Sequence, residues 1–212
     1  MAYTKEAAIR IVSACADRYH SELEGKALLF ITLNKHKTPG AIEFCFHGHN
    51  YLHLTGIQTL LSADRFYERC LSGRLSHSDI DFSEDGTTQL KLEILPSIIN
   101  GSLSAKMIGD FSTLRPLLYT EKLAGSTRAC VGFIYDKQLG QYIPNTVLKE
   151  DIRNYIRNMQ RVIAVLRKPI RSELYEEITY LAKKIEWSGI EIPKQYSYLN
   201  ARFRDSFTEN AK

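Results

Sequence analysis

The richest grouping of proton-transfer chemistry in the chain is His47-Gly-His-Asn-Tyr-Leu-His-Leu-Thr-Gly56. Read as an extended strand from Asn50 to Gly56, it sends Tyr51, His53 and Thr55 to one face and Leu52 and Leu54 to the other. The leucines then anchor the strand in a core. The opposite face presents an imidazole flanked by a phenol and a hydroxyl, at steps of about 6.6 Å. An unperturbed imidazole titrates near neutral pH, so His53 is the candidate acid or base, with Thr55 beside it. Buried packing for His53 and loop exposure for His47 and His49 are the plainer alternatives. Zinc is poorly supported, because i, i+2 spacing on a strand splays the ligands and no Cys or acidic fourth ligand is near in sequence.

Two further segments supply cations and small polar groups. In Pro144-Asn-Thr-Val-Leu-Lys-Glu-Asp151, Thr146 reads as the cap of a helix from Val147 to about Asn158. Such a helix offers backbone N–H groups at Asn145–Thr146 as a phosphate site. It also aligns Lys149, Arg153 and Arg157 on one stripe at i, i+4, i+8. Glu150 and Asp151 are close enough to make that stripe an ordinary solvated face instead. In Glu121-Lys-Leu-Ala-Gly-Ser-Thr-Arg-Ala-Cys130, the small residues suggest close backbone approach, and Lys122 and Arg128 share strand parity. Metal-free phosphodiester cleavage needs a base for the ribose 2′-OH, an acid for the leaving oxygen and cations for the developing charge. The catalytic candidates are His53, Thr55, Lys122 and Thr146. Tyr51, Arg128, Asn145, Lys149, Arg153 and Arg157 are the substrate-binding candidates. No metal ligands and no cofactor are expected, and RNA is the expected partner.

The elements that must position these groups follow from periodicity. Ala8, Ile11, Val12, Cys15 and Tyr19 form a helical stripe, with Thr4 as cap and Glu6 in the first turn. Ala27–Leu33 reads as a strand buried on both faces. It is followed by a turn at Lys37–Gly40 and a half-buried strand through Ile42, Phe44 and Phe46, so the two make a hairpin. Ser62 caps a helix to about Ser72, stopped by Gly73. Gln89–Leu95 is ambiguous and leans to a short helix capped by Thr87 or Thr88, with Pro96 as a kink. Strands are expected around Met107, around Leu118, over Ala124–Tyr135 and around Tyr142, with a turn at Asp136–Gly140. Val162–Leu166 adds another strand, and Ser172 is expected to cap a helix burying Leu174, Ile178, Leu181 and Ile185. Without regular βαβ alternation this is an α+β chain. One domain over residues 1–200 is expected, with a loosely held tail at 201–212.

Composition narrows the classes. At 44% apolar and 25% charged over 212 residues, the chain resembles an ordinary globular domain and not a disordered one. No apolar run reaches the roughly 20 residues of a membrane span, and MAYTKEAAIR lacks a signal-peptide core, so a cytoplasmic protein without membrane contact is expected. Cys15, Cys45, Cys70 and Cys130 lie far apart and read as small buried hydrophobes. Lys and Arg number 13 against 9 Asp and Glu in residues 147–212, and 15 against 15 before that, so the whole +4 lies in the last third. That is a weak footprint for a polyanion.

The motifs Tyr51-Leu-His-Leu-Thr-Gly56, Phe66-Tyr-Glu-Arg-Cys70, Asp85-Gly-Thr-Thr-Gln-Leu-Lys-Leu-Glu93, Met107-Ile-Gly-Asp110, Lys122-Leu-Ala-Gly125, Cys130-Val-Gly-Phe133 and Tyr142–Arg153 resemble a phage-associated family. It is the fourth phage subfamily grouped with the barnase–EndoU–colicin–RelE-like nucleases. The resemblance covers about residues 45–185. It implies a small antiparallel sheet with N-terminal and flanking helices, metal-independent RNA cleavage, a setting in mobile elements or conflict systems as a toxin, and a cognate inhibitor protein as a possible partner. His53, Lys122, Thr146 and Lys149 match by motif alone. Two other readings compete. His53-Leu-Thr followed by Gly73-Arg-Leu75 resembles the order in NAD-using ADP-ribosyltransferases, though no late catalytic Glu stands out. A non-catalytic RNA- or protein-binding inhibitor would keep the fold without turnover.

Overall fold

A computed structural model describes residues 3–112 and 119–204. The expected strand around Leu118 lies outside the described residues, except for Tyr119 and those that follow it. The first helix, α1 (Lys5–Glu22), forms as its stripe predicts: Thr4 Oγ1 accepts from Ala7 N, and Ala8, Val12, Cys15 and Tyr19 are buried. β1 (Lys26–Leu33) and β2 (Pro39–Phe46) make the hairpin. β1 is apolar from Ala27 to Ile31 because both its faces are covered. Leu28 and Phe30 join the core shared with the helices, while Leu29 and Ile31 join a second core built with Tyr175, Trp187, Leu199 and Phe203.

The middle of the chain adds α2 (Tyr51–Thr55), α3 (Ala63–Leu71) and α4 (Thr87–Ile98). Then come β3 (Met107–Phe111), β4 (Lys122–Gly125), β5 (Cys130–Asp136), β6 (Gln141–Leu148), β7 (Ile156–Pro169), β8 (Glu177–Leu181) and α5 (Tyr198–Arg204). The strands run in the order β1-β2-β6-β5-β4-β3-β7, and β7 pairs back onto β1, closing a seven-stranded barrel with β8 attached to β7. The α+β class stands, but the expected small antiparallel sheet is replaced by a closed, mixed barrel. β2 and β6 run parallel and meet at the single pair Phe44↔Tyr142. Beyond Tyr142, that edge of β6 has no strand partner among the described residues.

Several local expectations are overturned, and the single strand expected over Ala124–Tyr135 is two, β4 and β5, paired antiparallel across a turn. Asn50–Gly56 is not a strand: Tyr51, Leu54 and Thr55 are the buried face of a one-turn helix, and Gly56 at φ +69° ends it. Val147–Asn158 is not a helix. Val147 pairs with Val131 and Leu148 with Cys130, Asp151 then caps a short turn, and β7 begins. Helix propensity is a weak prior that sheet pairing overrides. Ser172 caps no long helix either, since Glu177–Leu181 pairs with β7 and Leu174 is exposed. In the expected loose tail, residues 201–204 belong to α5, with Phe203 buried against Trp187. All four cysteines are free and buried. Among the described residues no helix is long and apolar enough to cross a membrane.

Candidate functional site

Where β2 peels away from β6, α2 and α4 fill the gap. A cleft of about 480 Å³ is left between the start of α4 and the open edge of β6. Asp85, Thr87, Leu90 and Lys91 line one wall. Tyr119 and the run Asn145-Thr-Val-Leu-Lys-Glu150 line the other.

Lys91 is the chemically distinctive group. On α4 it lies three residues after buried Thr88 and four before buried Leu95, on the flank of the apolar stripe. Burial lowers its pKa to about 8, with the more distant Asp85 charge acting in the opposite direction. Its Nζ donates to the His53 carbonyl at 2.9 Å, and no carboxylate pairs with it directly among the described residues. The stem packs on Gly56, where an added Cβ would come within 2.8 Å of Lys91 Cδ. Thr88 Oγ1 donates to the Gly56 carbonyl at 2.6 Å, so α4 satisfies two end carbonyls of α2 and fixes the lysine's position.

The Asp85 carboxylate accepts from Thr87 N at 2.9 Å and from Ser83 Oγ, which brings its pKa down to about 2. It thus occupies the positive end of α4. The formal charges on the lining cancel, Asp85 and Glu150 against Lys91 and Lys149. Attraction for an anion therefore rests on the placement of Lys91 and not on the net field. Lys149 is bound to Glu93 of α4 at 2.5 Å, with both side chains well exposed. Such a pair contributes roughly 0.2–1 kcal/mol. Glu93→Gln is therefore expected to change stability by less than about 1 kcal/mol while releasing Lys149 toward the cleft. Tighter binding of a single-stranded oligonucleotide at low salt would show that release, and weaker binding would contradict it.

β6 carries a bulge here. Gly132 pairs with Thr146 and Phe133 with Pro144, which leaves Asn145 as the extra residue. Pro144 sits at this bulge, where a missing N–H is tolerated. The Asn145 amide donates to the Tyr119 carbonyl and accepts from Thr120 Oγ1 at 3.3 Å. It holds Tyr119, 79% exposed, at the cleft mouth near Leu90, itself 51% exposed. Thr146 Cγ2 packs where a Cβ on Gly132 would come within 2.7 Å, so glycine is required there for the wall to close.

Of the residues singled out by sequence, Asn145, Thr146 and Lys149 line this cleft. His53 does not, but its backbone holds Lys91, and its imidazole pKa is lowered by partial burial and then by the Lys91 and His49 charges. Tyr51 is fully buried with its phenol on the Val12 carbonyl at 2.6 Å, and burial pushes its pKa up, so it meets no substrate. Thr55 is also fully buried, donating to Leu52 O and accepting from Ile57 N, which makes its role structural. Lys122 pairs with Asp110, whose other oxygen accepts from Asn158 at 2.8 Å, away from the cleft lining. Arg128 is exposed on the turn between β4 and β5. Arg153 is bonded to Asp151, and Arg157 lies on β7 in register with Asp110, so with no helix there the expected cationic stripe does not exist. His53-Leu-Thr on a helix also removes the strand on which the ADP-ribosyltransferase resemblance depended. Sequence reasoning missed Lys91, although a lysine flanking the Thr88/Leu92/Leu95/Ile98 stripe was a legible sign of partial burial.

A half-buried lysine, a second lysine, a threonine and an exposed tyrosine around an open strand edge make a site suited to phosphate and base chemistry. The model of the phage-Barnase-EndoU-ColicinE5/D-RelE like nuclease4 family matches residues 11–184, and the chain belongs to that family. The match reaches back through most of α1, well before the expected start near residue 45. No curated protein matches the chain, and no solved structure does. Among the described residues, no group of three or more His, Cys, Asp or Glu side chains is arranged to hold a metal ion.

Proposed function

We propose that the cleft between α4 and β6 cleaves single-stranded RNA by a metal-independent attack of the ribose 2′-oxygen. The observation that carries this is Lys91, a cleft-wall amine whose pKa burial brings to about 8, so a useful fraction is neutral near physiological pH. The neutral Nζ takes the 2′-OH proton and the 2′-oxygen attacks phosphorus. The P–O5′ bond then breaks, and the leaving 5′-oxygen takes a proton from water. Lys149 offsets charge on the non-bridging oxygens, and the Thr146 hydroxyl orients one of them. Tyr119 gives an exposed face for stacking an unpaired base. Family membership supports the nuclease class.

The test is incubation of the chain with single-stranded RNA in EDTA, followed by analysis of the product ends. Fragments ending in 2′,3′-cyclic phosphate are expected, with no cut at a 2′-deoxy nucleotide. Activity that disappears on chelation and returns with Mg²⁺ would sink the mechanism. Binding without any cleavage would favour the non-catalytic RNA-binding reading.

A further inference from the structure

We infer that a second hollow, on the outer face of α3, grips the phosphates of a nucleic-acid strand. Its residues come together through a local turn. Ser62 Oγ caps α3 by accepting from Arg65 N, and Arg65 and Arg69 then share one face at i, i+4. Gly73, at φ +65°, turns the chain back so that Arg74 N donates to Arg69 O at 2.9 Å. The result is a hollow of about 510 Å³ lined by Arg65, Glu68, Arg69, Ser72 and Arg74.

The three guanidinium groups are not equivalent. Arg69 is fixed by Asp79 at 2.5 Å, and Asp79 is itself held by Ser76 N at 2.8 Å and Ser76 Oγ at 2.7 Å. Arg65 and Arg74 pair with no carboxylate among the described residues. Three cations stand against Glu68 and the Asp79 carboxylate that holds Arg69, which leaves a net charge of +1 at the hollow. Arg65 and Arg74 are the two guanidinium groups left to take up an anion, and guanidinium forks match phosphate oxygens in pairs. α2 packs against both α3, which carries the hollow, and α4, which carries one wall of the cleft. Taking the anion to be a nucleic-acid strand rests on the reading of the cleft given above.

The test uses the full chain and a short 2′-O-methyl oligoribonucleotide, which cannot be cleaved, with binding followed by anisotropy over a salt series. Each phosphate contact on a single strand contributes roughly 0.7 to the slope of log affinity against log salt. Arg65→Ala/Arg74→Ala is therefore expected to reduce that slope by about 1.4, equally for unrelated sequences. Arg65→Lys/Arg74→Lys should keep the slope, and Glu68→Gln should tighten binding. An unchanged slope in the alanine variant overturns the site, as does failure of the unaltered chain to bind the strand. A chain that shows the expected slopes yet leaves ordinary RNA intact would sink the catalytic reading alone.

Discussion

Lys91→Met is expected to slow RNA cleavage by roughly 10²–10⁴-fold, the usual contribution of a positioned base. Methionine keeps an unbranched stem of similar length against Gly56, so a circular dichroism spectrum like that of the unaltered chain should accompany the loss. Lys91→Arg separates two roles. Arginine keeps the charge but is never neutral in this pH range. If Lys91 acts as the base, arginine is as inactive as methionine; recovery with arginine would reassign it to charge stabilisation. The pH profile gives an independent reading, because a base with a pKa of about 8 makes the rate rise with pH and level off above that value. The sign for stability follows from the same shift. Folding lowers the lysine from 10.5 to about 8, so between those values the unfolded chain binds more protons. Stability contributed at this position therefore increases as pH rises from about 8 toward 10.5, and the penalty is present in full below that window. The methionine variant should lack that rise.

Phe44→Ala is expected to destabilise the fold by about 3–5 kcal/mol, read as a drop in the urea midpoint. The reason is the seam. β2 and β6 share a single backbone pair at Phe44↔Tyr142, so side chains must hold the barrel shut there. Phe44 stacks on Phe133 with centroids 3.8 Å apart and meets Phe30 and Tyr142 edge-on. A loss below about 1 kcal/mol would mean that α2 and α4 close the seam without it.

Much of the frame was legible in sequence, for identifiable reasons. α1, α3, the β1–β2 hairpin and the buried cysteines each carry their own signal, a capped 3.6-residue stripe or an unbroken apolar run. The barrel was not legible, since its closure depends on pairing between segments far apart in the chain. The two largest misreadings have different causes. Tyr51–Thr55 is too short for its period to be decided, and at Val147–Leu148 strand pairing outweighs a cation spacing that mimics a helix face. Asn145, Thr146 and Lys149 line the cleft, but the helix onto which their sequence spacing placed them is a strand. Lys91 was hidden because its chemistry comes from burial, which only tertiary packing creates.

The pairing of β1 with β7 also sets an order on assembly. Lys26 aligns with Pro169 and Leu33 with Arg161, so the hairpin formed first on the ribosome keeps an unsatisfied hydrogen-bonding edge until most of the chain has been made. Such distant pairing makes for slow folding and a long exposure to wrong partners. Chains truncated before β7 should therefore accumulate as aggregates and not as soluble fragments, and refolding yield from denaturant should fall steeply with protein concentration.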